Sequence, residues 1–417
     1  MTFAASPIPA PPIDPAAGAQ IFLASLRPEP LATPTSGIDD VVKYGRGRQG
    51  LIQLWVGEGD TPTPAFICEA ATRSLAAGET FYTHQRGHPD FRASVARYMT
   101  GVYGSAHAGS TAPFDPDRFV ASIGGMHAIQ MAIRLVAGPG DEIIIPTPAW
   151  PNFPSALIVV GARPVEVPMD FSMSGGQCGW SLDLDRLAGA VTPRTRALFI
   201  NTPSNPTGWS ASQAELEAIL DLARTHGLWI IADEIYGRIT FSGARAPSFH
   251  DVIDAQDRVM FVQTLSKNWA MTGLRCGWLE APPVLAPIIE NLVLYSTSGV
   301  AVPIQRAAIA ALDRGESFLA HQIARFRDSR DILCDGLEAS GRAHFARPNA
   351  AMYVFAAIDG EPDTAALALR LIDEANVGVA PGSTFGAGGG PFIRLCYAAK
   401  TDDMREATRR LINWLAR

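Results

Sequence analysis

The sequence has little of what marks membrane, secreted or nucleic-acid-binding proteins. Its 417 residues contain no apolar run as long as a membrane span, and a formal net charge of −7 disfavours nucleic acid or an anionic membrane as a partner. The five cysteines are scattered, with no Cys-x-x-Cys pair and no spacing typical of a metal site. These absences predict a cytoplasmic enzyme with reduced thiols that uses neither a metal nor a membrane.

Signatures of two other protein classes are also missing. No Gly-x-Gly-x-x-Gly turn lies within a strand-helix-strand unit, which disfavours a dinucleotide oxidoreductase. Residues 1–50 cannot supply the helix-turn-helix domain that a transcription regulator would need ahead of an enzyme-like region.

Residues 1–34 lack a basic stretch followed by an apolar one, so we expect no secretion signal. The prolines there predict a flexible arm over residues 1–35, and the apolar stretch 21–26 leaves open that the arm orders against a partner subunit.

The chain does contain a regular alternation of apolar strands and amphipathic helices. Strand patterns lie at 51–56, 119–123, 142–145, 163–167, 197–201, 228–233, 259–263 and 276–279, and helical patterns at 36–43, 65–77, 90–103, 126–136 and 210–226, the last with Ser210 as its cap. This alternation predicts a mainly parallel sheet covered on both faces, with ligands at the carboxyl ends of its strands. A separate α+β unit is predicted from helices at 284–296, 302–312, 317–340, 364–376 and 402–415 and strands at 352–358 and 392–397.

One lysine has surroundings that distinguish it from a surface charge. Thr264, Ser266 and Arg275 lie within a few residues of Lys267. Lysine enters covalent chemistry as a neutral amine, and a neighbouring arginine lowers its pKa because the ammonium form becomes costly. The two hydroxyls and the guanidinium could hold a phosphate group beside that amine. The pattern fits pyridoxal phosphate held as a Schiff base on Lys267, and it fits equally a polar loop with structural ion pairs.

Two polar residues follow other predicted strands. Asp233 ends the apolar strand 228–233, where a parallel sheet presents its ligands. Its carboxylate could keep a pyridine nitrogen protonated, or it could cap a helix. Asn205 lies in a loop with two X-Pro steps after the strand 197–201, where its amide could donate to a phenolic oxygen or form an Asx turn.

Four further positions suggest a ligand site. Gly125 lies at the start of a helix after a strand, where free backbone N–H groups bind phosphate. Trp150 could stack on a planar ring or belong to the core. Arg394 lies in an otherwise apolar strand, a costly place unless it meets a carboxylate from a ligand or from the protein. Gly57 begins a turn that is either a wall of the site or a plain turn.

In this order along the chain, the motifs resemble those of the class I and II aminotransferases, which are pyridoxal-phosphate enzymes of fold type I. The resemblance runs from about Leu51 to the C-terminus and rests on Gly57-Glu-Gly-Asp60, Tyr82 to Gly87, Gly124-Gly-Met-His-Ala128, Asn205-Pro-Thr-Gly208, Asp233-Glu-Ile-Tyr236, Ser266-Lys267 with Arg275, and Arg394. It implies an α/β fold with a large domain at 61–300, built on a mainly parallel seven-stranded sheet covered by helices. A smaller α+β domain would combine residues 36–60 with residues 301–417.

The resemblance implies a role for each matching residue. Lys267 would be the Schiff-base lysine and proton shuttle, Asp233 the partner of the pyridine nitrogen, and Asn205 and Tyr236 the donors to the phenolic oxygen. Gly125, Met126, Thr264, Ser266 and Arg275 would form the phosphate cup, Trp150 would stack on the ring, and Gly57, Asn205 and Arg394 would contact substrate, with Arg394 on its α-carboxylate. Tyr82 would reach across a homodimer interface to the phosphate in the neighbouring subunit. The chain departs from the family at Gly59, Thr264 and Cys276, where proline, serine and a small aliphatic residue are usual.

The implied reaction is transamination from an L-amino acid to a 2-oxo acid, while a carbon-sulfur lyase or decarboxylase on the same fold stays open. Dicarboxylate-specific relatives with a cross-subunit arginine carry it near the segment that matches 291–299, which has no Arg or Lys here. A neutral, apolar or aromatic donor is therefore expected over aspartate. Trp55, Trp150, Tyr295 and Trp269 are the aromatic residues expected to offer an apolar surface.

Overall fold

The computed structural model describes residues 22–174 and 177–417, so most of the arm predicted at 1–35 lies outside the described residues. The strands are β1 Ile52–Gln53, β2 Phe119–Ser122, β3 Glu142–Thr147, β4 Arg163–Pro168, β5 Asp170–Ser174, β6 Gln177–Ser181, β7 Thr195–Asn201, β8 Trp229–Asp233, β9 Val259–Thr264, β10 Gly277–Glu280, β11 Ala343–Phe345, β12 Tyr353–Ile358, β13 Val377–Gly378, β14 Ala380–Pro381 and β15 Phe392–Cys396. The α-helices are Pro28–Leu31, Gly37–Gly45, Ala65–Ala76, Pro89–Tyr103, Gly124–Val136, Asn152–Val160, Leu184–Gly189, Gln213–His226, Leu265–Asn268, Ala286–Leu294, Val302–Arg314, Glu316–Ser340, Thr364–Ala375 and Thr401–Leu415. Short 3-10 turns lie at Pro116–Arg118, Phe249–Asp251, Pro283–Leu285 and Gly382–Phe385.

A seven-stranded sheet organises the larger part of the molecule. Its strand order is β2-β10-β9-β8-β7-β3-β4. The pairs β9-β8, β8-β7, β7-β3 and β3-β4 are parallel, whereas β10 runs antiparallel to both of its neighbours. The predicted mainly parallel sheet is confirmed, and the carboxyl ends of β7, β8 and β9 meet at one edge of it.

The two faces of this sheet carry separate apolar layers. Successive residues of β8 alternate between them, with Ile230 in the layer that includes the helix Gln213–His226 and Ile231 in the layer that includes the helix Gly124–Val136. Both side chains are fully buried, and burial of such a side chain stabilises the fold by about 1.5–3 kcal/mol. A central strand buried on both faces explains why its sequence is a continuous apolar run.

The last part of the chain forms a second sheet, of order β11-β12-β15-β14, with antiparallel pairing throughout. The N-terminal segment joins this part, because β1 pairs with β13 and the helix Gly37–Gly45 contacts the helix Thr364–Ala375. The helix Val302–Arg314 instead packs against the helices Ala65–Ala76 and Pro89–Tyr103. The domain boundaries at residues 36, 61 and 301 stay a prediction.

Some local predictions were wrong. The helix expected at 210–226 begins at Gln213, and its cap is Ser212 rather than Ser210. Ser212 accepts from the backbone N–H of Glu215, and the Glu215 side chain accepts from the N–H of Ser212. Each serine has a residue three positions later that could complete this pair, Gln213 for Ser210 and Glu215 for Ser212, so the spacing alone does not decide between them. The strand expected at 51–56 is two residues long, and the hairpin β5-β6 was not predicted. Among the described residues, no helix is long and apolar enough to cross a membrane.

Candidate active site

A cavity of about 310 Å³ lies at the edge of the large sheet where β7, β8 and β9 end. Asn205 follows β7, Asp233 ends β8, and Lys267 lies in the short helix that follows β9. The small sheet closes the cavity with Tyr353 from β12 and Arg394 from β15. The predicted site residues that line it are Gly57, Trp150, Asn205, Asp233, Tyr236, Lys267 and Arg394. Residues far apart in the chain therefore line one cavity.

Lys267 presents its amine to the cavity. Its Nζ donates to the carbonyl oxygen of Gly57 at 2.6 Å. Burial lowers the pKa of Lys267 to about 8, and the charges of Arg394 and Arg275 contribute in the same direction. The sequence predicted a lowered pKa from Arg275 alone, but removal of the ammonium group from water is the larger cause. A lysine in this position is partly neutral near physiological pH, as covalent chemistry requires.

Asp233 is a buried carboxylate with one oxygen left free. It is 1% exposed, and its Oδ1 accepts from the backbone N–H of Ile235 at 3.3 Å. The other oxygen, Oδ2, has no hydrogen-bond partner within the described part of the chain. Burial raises the pKa of Asp233 to about 7, and the neighbouring Glu234 charge raises it further. A cation or an N–H donor at Oδ2 would stabilise the ionised form.

A buried hydrogen-bond chain behind Asp233 holds this segment in place. The two oxygens of Glu234 accept from Ser248 Oγ at 2.6 Å and from the N–H of Phe249 at 3.0 Å. His250 contacts Ser248 Oγ through Nδ1 at 2.9 Å and Glu280 Oε2 through Nε2 at 3.1 Å. Glu234 thus points away from the cavity while Asp233 points into it. This hydrogen-bond chain was not predicted, because nothing in the spacing of these residues along the sequence indicates that they meet.

Arg394 is buried without a carboxylate beside it. Its side chain donates to Asn205 Oδ1 at 2.9 Å and to the carbonyl oxygen of Trp55. Its guanidinium lies over the rings of Tyr353 and Phe385, at 4.6 and 5.0 Å from their centres. The Nε atom has no partner within residues 22–174 and 177–417, and no carboxylate there forms an ion pair with Arg394. The structural ion pair that the sequence left open is therefore not present among the described residues.

Tyr236 and Tyr353 form a buried pair, with their hydroxyls 2.8 Å apart. Burial raises the pKa of both phenols well above the ordinary value, so both are neutral donors. A Cβ atom at position 57 would overlap the Tyr353 hydroxyl, which explains the glycine there. Tyr353 was missed because an aromatic residue in an apolar strand predicts a core position. Tyr353 alternates with Phe355 along β12 and pairs with Cys396 of β15. These relations indicate a position at the cavity only once the arrangement of the second sheet is known.

The residues of the predicted phosphate cup lie together beside Lys267. Thr264 Oγ1 is 2.9 Å from Ser266 Oγ and accepts from the N–H of Ser266 at 3.2 Å. Arg275 Nη1 is 3.5 Å from Ser266 Oγ and donates to the carbonyl oxygen of Thr272 at 2.7 Å. A Cβ atom at Gly124, the first residue of the helix Gly124–Val136, would overlap the Arg275 guanidinium. Two hydroxyls, a guanidinium and a helix N-terminus therefore converge, which is a favourable setting for an anion.

The remaining predicted residues lie outside the cavity lining. Gly125 lies on the same helix, and a Cβ atom added to it would be 3.8 Å from Thr264 Cβ. Met126 packs at the edge of an apolar layer and lines a neighbouring groove. Tyr82 is 94% exposed. It points to solvent in the single chain.

Three of the four aromatic residues expected to form an apolar cavity surface do not do so in the described structure. Trp269 is buried and donates to the carbonyl oxygen of Gly315. Trp55 is buried against Gly45 and Gly378, and Tyr295 is 82% exposed. Trp150 does line the cavity, beside Phe153, which the sequence analysis did not identify. Sequence alone does not distinguish a core ring from a cavity ring.

Comparison with known proteins agrees with this geometry. Residues 49–411 match the family model described as aminotransferase class I and II. The chain is 33% identical over 364 residues to the arginine-pyruvate transaminase AruH of Pseudomonas aeruginosa, which covers 87% of this chain and 89% of that protein. It is 32% identical to aromatic-amino-acid aminotransferase 2 of Thermococcus litoralis, over 90% of this chain and 94% of that one. A solved structure of aspartate aminotransferase from Thermus thermophilus with maleate superimposes with a TM-score of 0.83 at 31% identity, over 93% of this chain and 99% of that one.

All three relatives are named for amino-group transfer, which favours that reaction over the lyase and decarboxylase alternatives. The family is one whose members use pyridoxal phosphate. Within the described ranges, no group of three or more His, Cys, Asp or Glu side chains is arranged to hold a metal ion. The chain belongs to the class I and II aminotransferases, with the α/β architecture of fold type I, and it catalyses amino-group transfer.

Proposed function

We propose that the cavity binds pyridoxal phosphate on Lys267 and transfers the amino group of a neutral L-amino acid to a 2-oxo acid. One observation carries this proposal: a single cavity holds a lysine amine, a buried carboxylate with a free oxygen, and a buried arginine without a carboxylate partner. When bound, the cofactor supplies an electron-withdrawing ring that stabilises negative charge at the substrate Cα. The protein supplies binding, orientation and proton transfer.

The polar atoms that lack partners fit the ring of this cofactor. Asp233 Oδ2 would accept from the protonated ring nitrogen, which would also satisfy that buried oxygen. Asn205 Oδ1 already accepts from Arg394, so its amide NH₂ group is the part left to donate to the phenolic oxygen. Tyr236 shares one hydrogen bond with Tyr353, and one of the two hydroxyls remains available as a second donor. Trp150 lines the same cavity and would cover the ring.

The phosphate would bind where Thr264, Ser266 and Arg275 meet the start of the helix Gly124–Val136. The hydroxyls and the guanidinium would donate to phosphate oxygens, and the first N–H groups of the helix, including those of Gly125 and Met126, have no intrahelical acceptor. An anion there is also favoured by the helix dipole. This arrangement would anchor the cofactor independently of its bond to Lys267.

Lys267 would move the proton between the substrate Cα and the cofactor once an incoming amine has displaced it. Its amine can accept a proton because burial lowers its pKa to about 8, while an unperturbed lysine, with a pKa near 10.4, is almost wholly protonated at pH 7. The contact of Nζ with Gly57 keeps the amine at the cavity wall. The same group thus holds the cofactor and serves as the general base.

Arg394 would bind the α-carboxylate of the amino donor, because it lines the cavity and forms no ion pair with a carboxylate of the described residues. Among the described residues, Lys267 is the only lysine and Arg394 the only arginine that line the cavity. A distal carboxylate would therefore lose its hydration without gaining a partner, at a cost of several kcal/mol. Ile38, Val56 and Phe153 give the wall an apolar part, worth about 1.5–3 kcal/mol to a buried side chain. Neutral donors are favoured by both effects.

This donor preference is tested by kcat/KM for phenylalanine, leucine, alanine and aspartate with one common 2-oxo acid. Phenylalanine and leucine are expected to exceed aspartate by about tenfold or more, since 1.4 kcal/mol corresponds to a factor of ten. Alanine has no distal group, so its kcat/KM gives the baseline for a donor that is recognised by Arg394 and Lys267 alone. Aspartate ahead of the apolar donors by tenfold or more would refute the preference.

The proposal also includes a homodimer with shared sites. Phe81 and Tyr82 are 85% and 94% exposed, an unusual state for two adjacent aromatic side chains. Burial of this pair against a second copy of the chain would remove the exposed apolar surface. The resemblance then assigns Tyr82 to the phosphate in the partner subunit, whose cup residues were described above.

Subunit mixing tests the shared site. Lys267→Ala and Tyr82→Ala chains are expected to be weakly active alone. After exchange of subunits, about a quarter of the wild-type activity should return, since half of the dimers are mixed and each has one intact site. The control mixes the Tyr82→Ala chain with the Lys267→Ala/Tyr82→Ala double variant, where no site holds both residues. Equal activity in the two mixtures would rule out a Tyr82 that acts across the interface.

A further inference from the structure

The cavity has one charged side chain that the proposed function leaves unused. Among the described residues, the charged groups that line it are Asp39, Asp233, Lys267 and Arg394. Under the proposed function, on which this inference rests, Lys267 and Asp233 serve the cofactor and Arg394 serves the α-carboxylate. Asp39 is then the remaining charge along the part of the cavity that is left for the donor side chain.

The Asp39 carboxylate has no partner in the described structure. Its backbone N–H donates to Ser36 Oγ at 3.3 Å, which caps the helix Gly37–Gly45, but its side chain accepts no hydrogen bond and forms no ion pair in the described ranges. The next residue offers a contrast. Asp40 lies 3.7 Å from Lys43 Nζ and is not among the residues that line the cavity.

The helix that carries Asp39 is fixed in position at both ends. A Cβ atom at Gly37 would overlap Thr384, so the first turn packs closely against the small domain. At the other end, the Tyr44 hydroxyl donates to Asp373 at 2.9 Å, and Val41 between them is buried. Because Ser36 and Ile38 line the cavity with Asp39, this first turn forms part of its wall.

We infer that Asp39 determines donor specificity by favouring side chains that end in a cation and opposing those that end in a carboxylate. A basic L-amino acid places its α-carboxylate at Arg394 and its distal ammonium or guanidinium toward Asp39. Asp39 is exposed, and an exposed ion pair of this kind changes a binding ratio by about twofold to fivefold. The inference extends the proposed neutral donors to basic ones and gives a second reason for the exclusion of dicarboxylates.

The test compares pairs of donors that differ at the distal group only. The ratio of kcat/KM for lysine to that for norleucine, and the ratio for glutamate to glutamine, are measured for the wild type and for Asp39→Asn. The variant is expected to lower the first ratio and to raise the second, each by about twofold to fivefold, because the amide keeps the shape and loses the charge. Asp40→Asn is the matched control, and neither ratio should change in it.

Binding measurements keep this test independent of turnover. Calorimetry with 6-aminohexanoate and hexanoate compares two ligands that have no α-amine and differ only in the presence of the distal ammonium group. The preference for the ammonium ligand should fall in Asp39→Asn and persist in Asp40→Asn. Ratios in Asp39→Asn that equal those of the wild type within experimental error, by kinetics or by binding, would overturn the role of Asp39. If the wild-type protein transferred the amino group of none of these donors, the proposed function would be refuted. The calorimetric comparison would still decide the role of Asp39.

Discussion

Replacement of Lys267 by alanine is expected to lower kcat for amino transfer by about two to four orders of magnitude, the range that a general acid-base group commonly contributes. The substitution removes the amine that donates to Gly57, which is the proposed base for the proton at the substrate Cα. Cofactor binding should weaken less than kcat, because Asp233, Thr264, Ser266 and Arg275 remain. Single-turnover spectroscopy of the cofactor with an amino donor separates the two effects.

Lys267→Arg is the matched variant for this prediction. Arginine keeps the positive charge but has no neutral amine at any accessible pH, so it should be as inactive as the alanine variant. Lys43→Ala, at an exposed side chain that does not line the cavity, controls for loss of a lysine as such. Near-normal turnover in Lys267→Arg would show that charge rather than a neutral amine matters at this position.

Asp233→Asn is expected to produce the second largest effect, a loss of about 10²–10³ in kcat, similar to the loss of one preorganised electrostatic group in other active sites. The amide keeps the shape of the side chain but cannot hold the ring nitrogen in its protonated form, so the ring withdraws electrons less strongly. Asp233→Glu keeps the carboxylate and should recover part of the activity. Full activity in Asp233→Asn would remove Asp233 from the mechanism.

The same variant has a signature in the cofactor-free protein. The folded-state pKa of Asp233 is raised from 3.8 to about 7, mainly by burial, so between these pH values the folded protein holds a proton that the unfolded chain has lost. The Asp233 contribution to the free energy of unfolding is therefore largest at low pH and falls as pH rises from about 4 to about 7. Asp233→Asn should lack this component. Chemical denaturation at a series of pH values measures the difference between the two proteins.

The residues at the ends of the large-sheet strands were predictable from sequence for a physical reason. Asn205, Asp233 and Lys267 each follow an apolar strand, and parallel strands bring their carboxyl ends to one edge of the sheet. Arg394 was identifiable because a charge in an apolar strand is costly without a partner. In each case the local sequence and the packing rule point to the same place.

The residues contributed by other parts of the fold were not predictable in this way. Tyr353 reads as a core residue until the small sheet is placed over the large one, and only then does its hydroxyl meet Tyr236. Asp39 reads as a surface residue of an amphipathic helix, and its position at the cavity depends on contacts with Thr384 and Asp373, more than 300 residues away in the chain. Trp269, two residues after Lys267, was expected to line the cavity, but its ring faces the core. Long-range packing decides all three.

Reduction with borohydride identifies the lysine that holds the cofactor, because it converts the bond between cofactor and lysine into a stable amine that peptide mapping can locate. The chain has three lysines, Lys43, Lys267 and Lys400, so the assignment is a choice among three peptides. The reduced cofactor is expected on the peptide that contains Lys267, and Lys267→Arg is expected to yield no labelled peptide. Label on Lys43 or Lys400 in the wild-type protein, or label that persists in Lys267→Arg, would contradict it.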